Sequence, residues 1–366
     1  MKIKTDRDTL LKPLQQIAGV VERRQTLPIL ANILLNARGD ELVITATDLE
    51  IEMKTNASVH FEGELDFTLP ARKLIDICKA LPEKADIQIS IEGERAVLRS
   101  GKSRFTLGIL PAQDYPAIEP SASSQHFSIS QNQLKHLIEK TNFAMAQQDV
   151  RYYLNGMLVE VRKGLIRAVA TDGHRLALSE VECHTEQQVD FQVIIPRKAV
   201  LELGRLLSDV EKDVLVDISS NHIRLNLGDT IFTSKLIDGK FPDYERVIPS
   251  GFDKEVIADR DELRQALQRT SILSNEKYRG IRFQFSPGRL ELLAHNPEQE
   301  EAQEEIDIQY DGDELVIGFN VGYLVEVLNV VESAQVHLSL LDPDSSCLIE
   351  DKNAPGNRYV IMPMRI

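Results

Sequence analysis

The chain has 366 residues, 42% hydrophobic and 27% charged, with a formal net charge of −15, a composition that fits a globular protein of two or three domains. No apolar run reaches the roughly 18 residues of a membrane span, and the N-terminus MKIKTDRDTL lacks the apolar core of a signal peptide. Three cysteines, Cys78, Cys183 and Cys347, stand far apart with no CxxC pair, so free thiols in a reducing cytoplasm are expected and a disulfide framework is not.

Along the chain one pattern keeps returning. The segment DTLLKPLQQI (8–17) sets Leu10, Pro13, Leu14 and Ile17 at i, i+3, i+4 and i+7, one stripe of a period-3.6 helix. Pro13 inside it predicts a kink or a late start. The β-like run ELVITATDLEIEM (41–53) precedes a second helix, LPARKLIDICKAL (69–81), with its stripe on Leu74, Ile77, Cys78 and Leu81. Alternating strands follow over 85–100 and around Phe105, with Gly or Asn at the turns.

The order then starts again. NQLKHLIEKT (132–141) carries Leu134, Leu137, Ile138 and Thr141. Strand-like runs at 151–173 and 214–229 flank IPRKAVLELGRLL (195–207), with Val200, Leu203, Gly204 and Leu207. A third copy has DELRQALQRT (261–270), with Leu263, Ala266, Leu267 and Thr270, and FNVGYLVEVLNVV (319–331), with Leu324, Val327, Leu328 and Val331. Thr47-Asp48 recurs as Thr171-Asp172 and then at Asn296, and Phe105 recurs as Phe232 and Tyr359, all about 124 to 127 residues apart. That period is too long for a solenoid unit of roughly 20–50 residues. One domain built three times is expected, at 1–124, 125–249 and 250–366. Each copy holds two helices and about eight strands. The fold class is α+β, with helices on one face of antiparallel sheets.

The charge is uneven. Residues 1–120 carry 16 Lys+Arg against 18 Asp+Glu, residues 121–248 carry 15 against 17, and residues 249–366 carry 11 against 22. Off the apolar stripes lie Arg7 and Lys12, Lys135 and Lys140, Arg264 and Arg269 in the first helices of the copies. The second helices carry Arg72, Lys73 and Lys79, then Arg197, Lys198 and Arg205, whereas the third copy has Glu326 and no cation. Loops after the first helices add Arg23, Arg24, Gln147, Gln148, Arg151, Tyr152, Tyr153, Lys277 and Arg279. Helices packed on one side of their sheets would make that side basic in five of six cases, a surface for a phosphate backbone met without base reading.

Motifs for chemistry are missing. Gly101-Lys102-Ser103 lacks the earlier glycine of a phosphate loop, with Ala96 in its place, and the eight histidines have no metal-ligand spacing. No cofactor and no metal are expected. Asp172 and His174 could form an acid–base pair, which would make the chain an enzyme. Thr47-Asp48 holds the equivalent place without a histidine, which favours a turn that leaves His174 and Arg175 partly exposed. A peptide-binding scaffold without DNA is the other alternative. The acidic run NPEQEEAQEEI (296–306) reads as a charged sheet edge that blocks promiscuous pairing or selects a basic partner edge.

The strings LLKPLQQ, TLPILANILL, PARKLIDIC, QDVRYYLNGML, ATDGHRLAL, FTSKLIDGKFPDYERVIP, ILSNEKYRG, NPEQEEA and YVIMPMRI closely resemble the bacterial DNA polymerase III beta subunit family, the sliding clamps, from end to end. The resemblance implies a non-enzymatic processivity factor. It would be a head-to-tail homodimeric ring around duplex DNA, without sequence specificity. The implied partners are a replicative polymerase, a clamp loader complex and other clamp-binding proteins such as repair polymerases, mismatch repair proteins and ligase. It implies a partner-peptide pocket at Leu154, Thr171, Gly173, His174, Arg175, Leu176, Pro242, Arg246, Val247, Val360, Met362, Pro363 and Met364. Duplex contacts fall on Arg24 and Gln148, with Tyr152 and Tyr153 beside them; Arg72 and Lys198 join them from the helix faces. The subunit interface sets Phe105 and Leu107 against Ile272 and Leu273. Ionic pairs of Lys73 with Glu298, Arg95 with Glu300, Arg104 with Glu301 and Lys102 with Glu304 are expected to frame it. The loop before the Pro-Ala-Arg-Lys segment is one residue shorter than in the best-known member, and the chain ends on Ile366 where Leu is common.

Overall fold

A computed structural model describes residues 2–21, 27–118, 125–162, 164–182 and 190–365. Six α-helices form where the apolar stripes fall. They are α1 (Arg7–Ile17), α2 (Ala71–Ala80), α3 (Gln131–Thr141), α4 (Arg197–Leu206), α5 (Arg260–Thr270) and α6 (Val321–Val330). Side chains cap several N-termini. Asp6 Oδ1 accepts the Asp8 and Thr9 amides at 2.9 Å, Asp259 accepts the Glu262 amide, and Asn320 accepts the Gly322 amide. The expected late start of α1 is not found. The helix begins at Arg7 and passes through Pro13, whose ring is buried with Leu10, Leu14 and Ile17. The Asp6 cap fixes the first turn ahead of the proline, which forgoes one backbone bond.

The first copy of the pattern contains β1 (Ile3–Asp6), β2 (Asn32–Arg38), β3 (Glu41–Thr47), β4 (Ile51–Ser58), β5 (Glu64–Pro70), β6 (Asp86–Glu92), β7 (Arg95–Ser100) and β8 (Ser103–Gly108). The second contains β9 (Gln125–Ser130), β10 (Gly156–Arg162), β11 (Leu165–Thr171), β12 (Arg175–Glu182), β13 (Phe191–Pro196), β14 (Asp213–Ile218), β15 (His222–Asn226) and β16 (Thr230–Lys235). The third contains β17 (Lys254–Asp259), β18 (Gly280–Ser286), β19 (Arg289–His295), β20 (Glu301–Asp307), β21 (Leu315–Asn320), β22 (Gln335–Leu340), β23 (Cys347–Glu350) and β24 (Asn357–Ile361). Among the described residues, each copy is one strand, a helix and three strands, followed by the same again.

By packing the chain divides into two compact units. One comprises 1–132 with 201–236, the other 133–200 with 237–366. The first unit holds a four-stranded sheet, β1-β6-β7-β8, and an eight-stranded sheet, β5-β2-β3-β4-β16-β15-β14-β9. The second holds the four-stranded β20-β19-β18-β21 and the eight-stranded β13-β10-β11-β12-β24-β23-β22-β17. Every pairing between these strands is antiparallel. The middle copy therefore gives half its strands to each unit. Its β16 pairs with β4, setting Phe232 opposite Met53, and its β12 pairs with β24, setting Ala177 opposite Tyr359.

The predicted stripes are buried in α1, α3, α5 and α6. In α2 the buried face is Leu74, Ile75 and Cys78, with Ile77 only half-buried, and Gly204 of α4 is also half-buried. Lys140 overturns the expectation for its helix face. It is buried, with Nζ 2.5 Å from the Val330 carbonyl and 2.5 Å from Glu332 Oε1. The last residue of α6 and the segment just after it supply partners that the sequence of α3 does not contain. Cys78 and Cys347 are buried and free, and burial pushes the Cys78 thiol up to about 11. Cys183 lies outside the described residues.

In β10, Gly156 is packed so closely against β13 that a Cβ would stand 2.6 Å from the Ile195 carbonyl oxygen. Gly156→Ala must push β10 and β13 apart, and should cost about 1–3 kcal/mol as overpacking, read as a lower urea midpoint at unchanged slope.

Candidate peptide groove and DNA-facing loop

The Thr-Asp signal builds a turn. Thr171 Oγ1 donates to the Arg175 carbonyl at 2.6 Å and accepts the Gly173 amide at 3.0 Å. Asp172 Oδ1 accepts the amides of His174 and Arg175 at 2.9 and 3.0 Å. The β3–β4 turn repeats this with Thr47 and Asp48, and Asn296 Oδ1 accepts the Glu300 amide in the third copy. Each turn has one left-handed residue: Leu49 (φ 77°), Gly173 (φ 87°) and Gln299 (φ 66°). A Cβ at Gly173 would also lie 3.0 Å from the guanidinium nitrogens of Arg151, a close contact with the end of a flexible side chain.

Arg175 was expected to be partly exposed and is buried. Its Nε donates to Asp172 Oδ2 at 3.2 Å and its Nη2 to the Phe143 carbonyl at 2.6 Å; its Nη1 is paired with Glu326. The guanidinium carbon also lies 5.3 Å from the Phe143 ring centroid and 4.5 Å from that of Tyr323, a cation between two aromatic faces. With Asp172 Oδ1 on two amides and Oδ2 on Arg175, the carboxylate is committed to the turn and not to an acid–base pair with His174. His174 itself is exposed.

The C-terminal segment forms the next wall. β24 sets Leu176 opposite Val360 and Arg175 opposite Ile361. The ladder runs one step further, with the Met362 amide 3.0 Å from the His174 carbonyl, and the Met364 amide then bonds Gly318 at 2.9 Å. Met362 is therefore held by its backbone while its side chain is 42% exposed. A third wall is the segment around Tyr244. Its phenol donates to Glu160 at 2.6 Å and accepts from Arg167 at 2.7 Å, and burial pushes it up to about 12. That anchor leaves Pro242, Arg246 and Val247 exposed, with Arg246 paired to Asp243 at 2.8 Å. The floor is an apolar cluster including Leu158, Leu176, Leu178, Phe241, Tyr244 and Val360. Leu154 and Thr171 are buried beside it, and Pro363 and Met364 are half-buried. All thirteen sequence-predicted groove residues lie in the second compact unit.

The loop 147–153 lies next to the Thr-Asp turn. Arg151 donates to both carboxylate oxygens of Asp149 and to the Asp172 carbonyl, and holds the Asp149 carboxyl down at about 2. Gln148 stands exposed with left-handed backbone (φ 57°), Val150 is 95% exposed and Tyr152 is 57% exposed. Tyr153 packs against the apolar floor and meets Tyr152 edge to face. Arg24 and Arg23 lie outside the described residues.

The basic helix faces are thinner than expected. Arg7 turns to the Cys78 carbonyl, Lys135 to Glu139, Arg205 to Glu202, Arg264 to Asp261 and Arg269 to Glu304. Lys12, Arg72, Lys73 and Lys79 are exposed without an ion pair among the described residues, and Lys198 is exposed. At two of the sheet edges, β8 carries Arg104 and a half-buried Phe105, with Leu107 buried, whereas β20 carries Glu301, Glu304 and Glu305. Ile272 is 76% exposed and Leu273 half-buried, on the short turn after α5.

Family models for the N-terminal, central and C-terminal domains of the DNA polymerase III beta subunit match residues 1–119, 128–243 and 245–365. The chain belongs to the DNA polymerase III beta subunit family. It is 53% identical to the beta sliding clamp of Pseudomonas putida and 49% identical to that of Escherichia coli, each over the whole of both chains. Its structure is similar to that of the DNA polymerase III subunit beta from Pseudomonas aeruginosa, with TM-score 0.97, 52% identity and full coverage of both chains. The polymerase sliding clamp of Caulobacter crescentus gives TM-score 0.94 at 40% identity, again with full coverage.

For a beta subunit, sequence reasoning missed the residues that hold Arg175. Phe143 and Tyr323 carry no role in the sequence analysis, and Glu326 only that of an acid in place of a cation. The one available signal was Glu326, the acid that breaks the cation pattern of the second helices. Deleting the last five residues removes Met362 and Met364 but no residue of β8 or β20. Fluorescence anisotropy should show at least tenfold weaker binding of a polymerase-derived peptide, with the oligomeric state in sedimentation unchanged; unchanged peptide affinity would rule the tail out as a wall.

Proposed function

We propose that this beta subunit works as a ring-shaped processivity clamp, a head-to-tail homodimer closed around duplex DNA. Three domains, at 1–124, 125–249 and 250–366, make up each subunit. The observation that carries the reading is the pair of open sheet edges. In-chain, β4 pairs with β16 and β12 pairs with β24; their counterparts in the repeat, β20 and β8, are left at the ends of four-stranded sheets. An edge of unpaired amides and carbonyls is a template for another strand. A second copy of the chain offers the complementary edge at both ends.

The repeat also supports a register. Met53, Ala177 and Ala302 are equivalent, since they pair with Ala46, Ala170 and Ala294. Phe232 stands opposite Met53 and Tyr359 opposite Ala177. By the same rule, Phe105 stands opposite the partner subunit's Ala302. Arg104 then reaches Glu301 diagonally. Lys73 with Glu298 and Arg95 with Glu300 complete a frame that sets register more than affinity. Lys102 can meet Glu304 only once Arg269 has released it. Ile272 and Leu273 pack against Phe105 and Leu107 as the apolar centre of the interface.

DNA contact falls on Arg24, Gln148, Tyr152, Tyr153, Arg72 and Lys198. With most helix cations already paired in-chain, phosphate contacts are few, and no register along the duplex is favoured. Retention is then topological. The groove around Leu176, Val360 and Met362 takes apolar peptide segments of the replicative polymerase, the clamp loader and other clamp-binding proteins. Its methionines adapt to several sequences.

Two measurements test this. Loaded protein should remain on circular DNA and leave linear DNA of equal length within the same period; equal loss from both sinks the topological account. Replacing Ile272 and Leu273 together by Asp should halve the mass seen by sedimentation, and an unchanged mass would exclude this interface.

A further inference from the structure

We infer that Arg269 is a subunit-bridging cation, which caps the C-terminal carbonyl of α2 in the partner subunit; the inference rests on the head-to-tail dimer proposed above. Two helix junctions match. Helices α3 and α5 have eleven residues each, with Lys140 and Arg269 both tenth. Each is followed by a threonine whose hydroxyl donates to the carbonyl four residues back, at 2.7 Å in Thr141 and 2.8 Å in Thr270, and then by a 3-10 turn. Lys140 does not serve its own copy. It crosses to the last residue of α6, with Nζ 2.5 Å from the Val330 carbonyl, and is buried there. A cation on the last carbonyls of a helix meets the negative end of its dipole.

The receiving helices match as well. Both α2 and α6 have ten residues and close with the same bond, Leu81 to Ile77 and Val331 to Val327, each 3.1 Å. Ala80 thus stands where Val330 stands. The sheet pairing that brings β20 against the partner's β8 brings α5 against the partner's α2, as β12 with β24 goes with α3 and α6. In the lone subunit Arg269 rests on Glu304 through two bonds of 2.7 and 2.9 Å, half-exposed, and it holds that carboxyl below its usual range. On assembly the guanidinium leaves Glu304 for the partner's Ala80 carbonyl. Glu304 is then free to face the partner's basic edge.

The test is the dimer dissociation constant by sedimentation velocity, for the full-length wild type, Arg269→Ala, Arg269→Lys, Glu304→Ala and the Arg269→Ala/Glu304→Ala pair. Arg269→Ala should weaken the dimer about tenfold, equally with and without Glu304, and Arg269→Lys, the residue found at position 140, should keep most of the affinity. An alanine effect that vanishes in the Glu304→Ala background, or a tighter dimer, would leave Arg269 as an in-chain counter-ion only and overturn the inference. A lysine variant as weak as alanine would do the same. A wild-type protein that stays monomeric at all concentrations would instead overturn the dimer itself.

Discussion

The constraint that orders this molecule is the need to pair the backbone groups of sheet edges. Each copy of the repeat ends its sheets in strands that cannot be left open without cost. Inside the chain the answer is the same twice, β4 with β16 and β12 with β24. Both joins are antiparallel, and both merge strands of successive copies into one eight-stranded sheet. The packing units consequently ignore the covalent repeat, and the middle copy is shared between them. Joints made from a continuous sheet resist bending more than a linker does, which suits a protein whose use depends on shape.

Charge is handled in the same spirit. A chain of net charge −15 that meets DNA needs cations, yet most of those on its helices are held by a neighbouring carboxylate or carbonyl. The few left over suit a surface that attracts a duplex without gripping it. At the groove the opposite strategy holds. Arg175 is fixed by Asp172, Glu326 and the Phe143 carbonyl between two rings. A wall pinned by so many partners is preorganised, so a peptide bound there, as proposed, would bear most of the ordering cost itself.

Much of this was legible in the sequence. The stripes at Leu10, Leu134 and Leu263 gave the helices, and the period of the Thr-Asp signal gave the copies and the turn. What could not be read was the fate of polar side chains off the stripes. Lys140 looks like a surface cation because helical periodicity reports only the face a helix turns to its own sheet, and Arg175 because it follows a polar turn at the start of β12. Their burial is due to α6, brought close by a strand pairing some 180 residues away in sequence. The late start that Pro13 suggests is absent for a local reason, since the Asp6 cap outweighs a single lost backbone bond.

The two unlike edges, one basic on β8 and one acidic on β20, make each subunit a unit with a head and a tail. Contacts of that kind do not saturate themselves; they close into a ring only when the rotation per contact divides a full turn, and otherwise run on as an open helix. In the proposed head-to-tail pair, closure after two subunits would depend on the in-chain joints as much as on the interface. A change at the β12–β24 joint that altered its angle while keeping its bonds would leave every edge competent. It would turn a closed pair into a growing polymer.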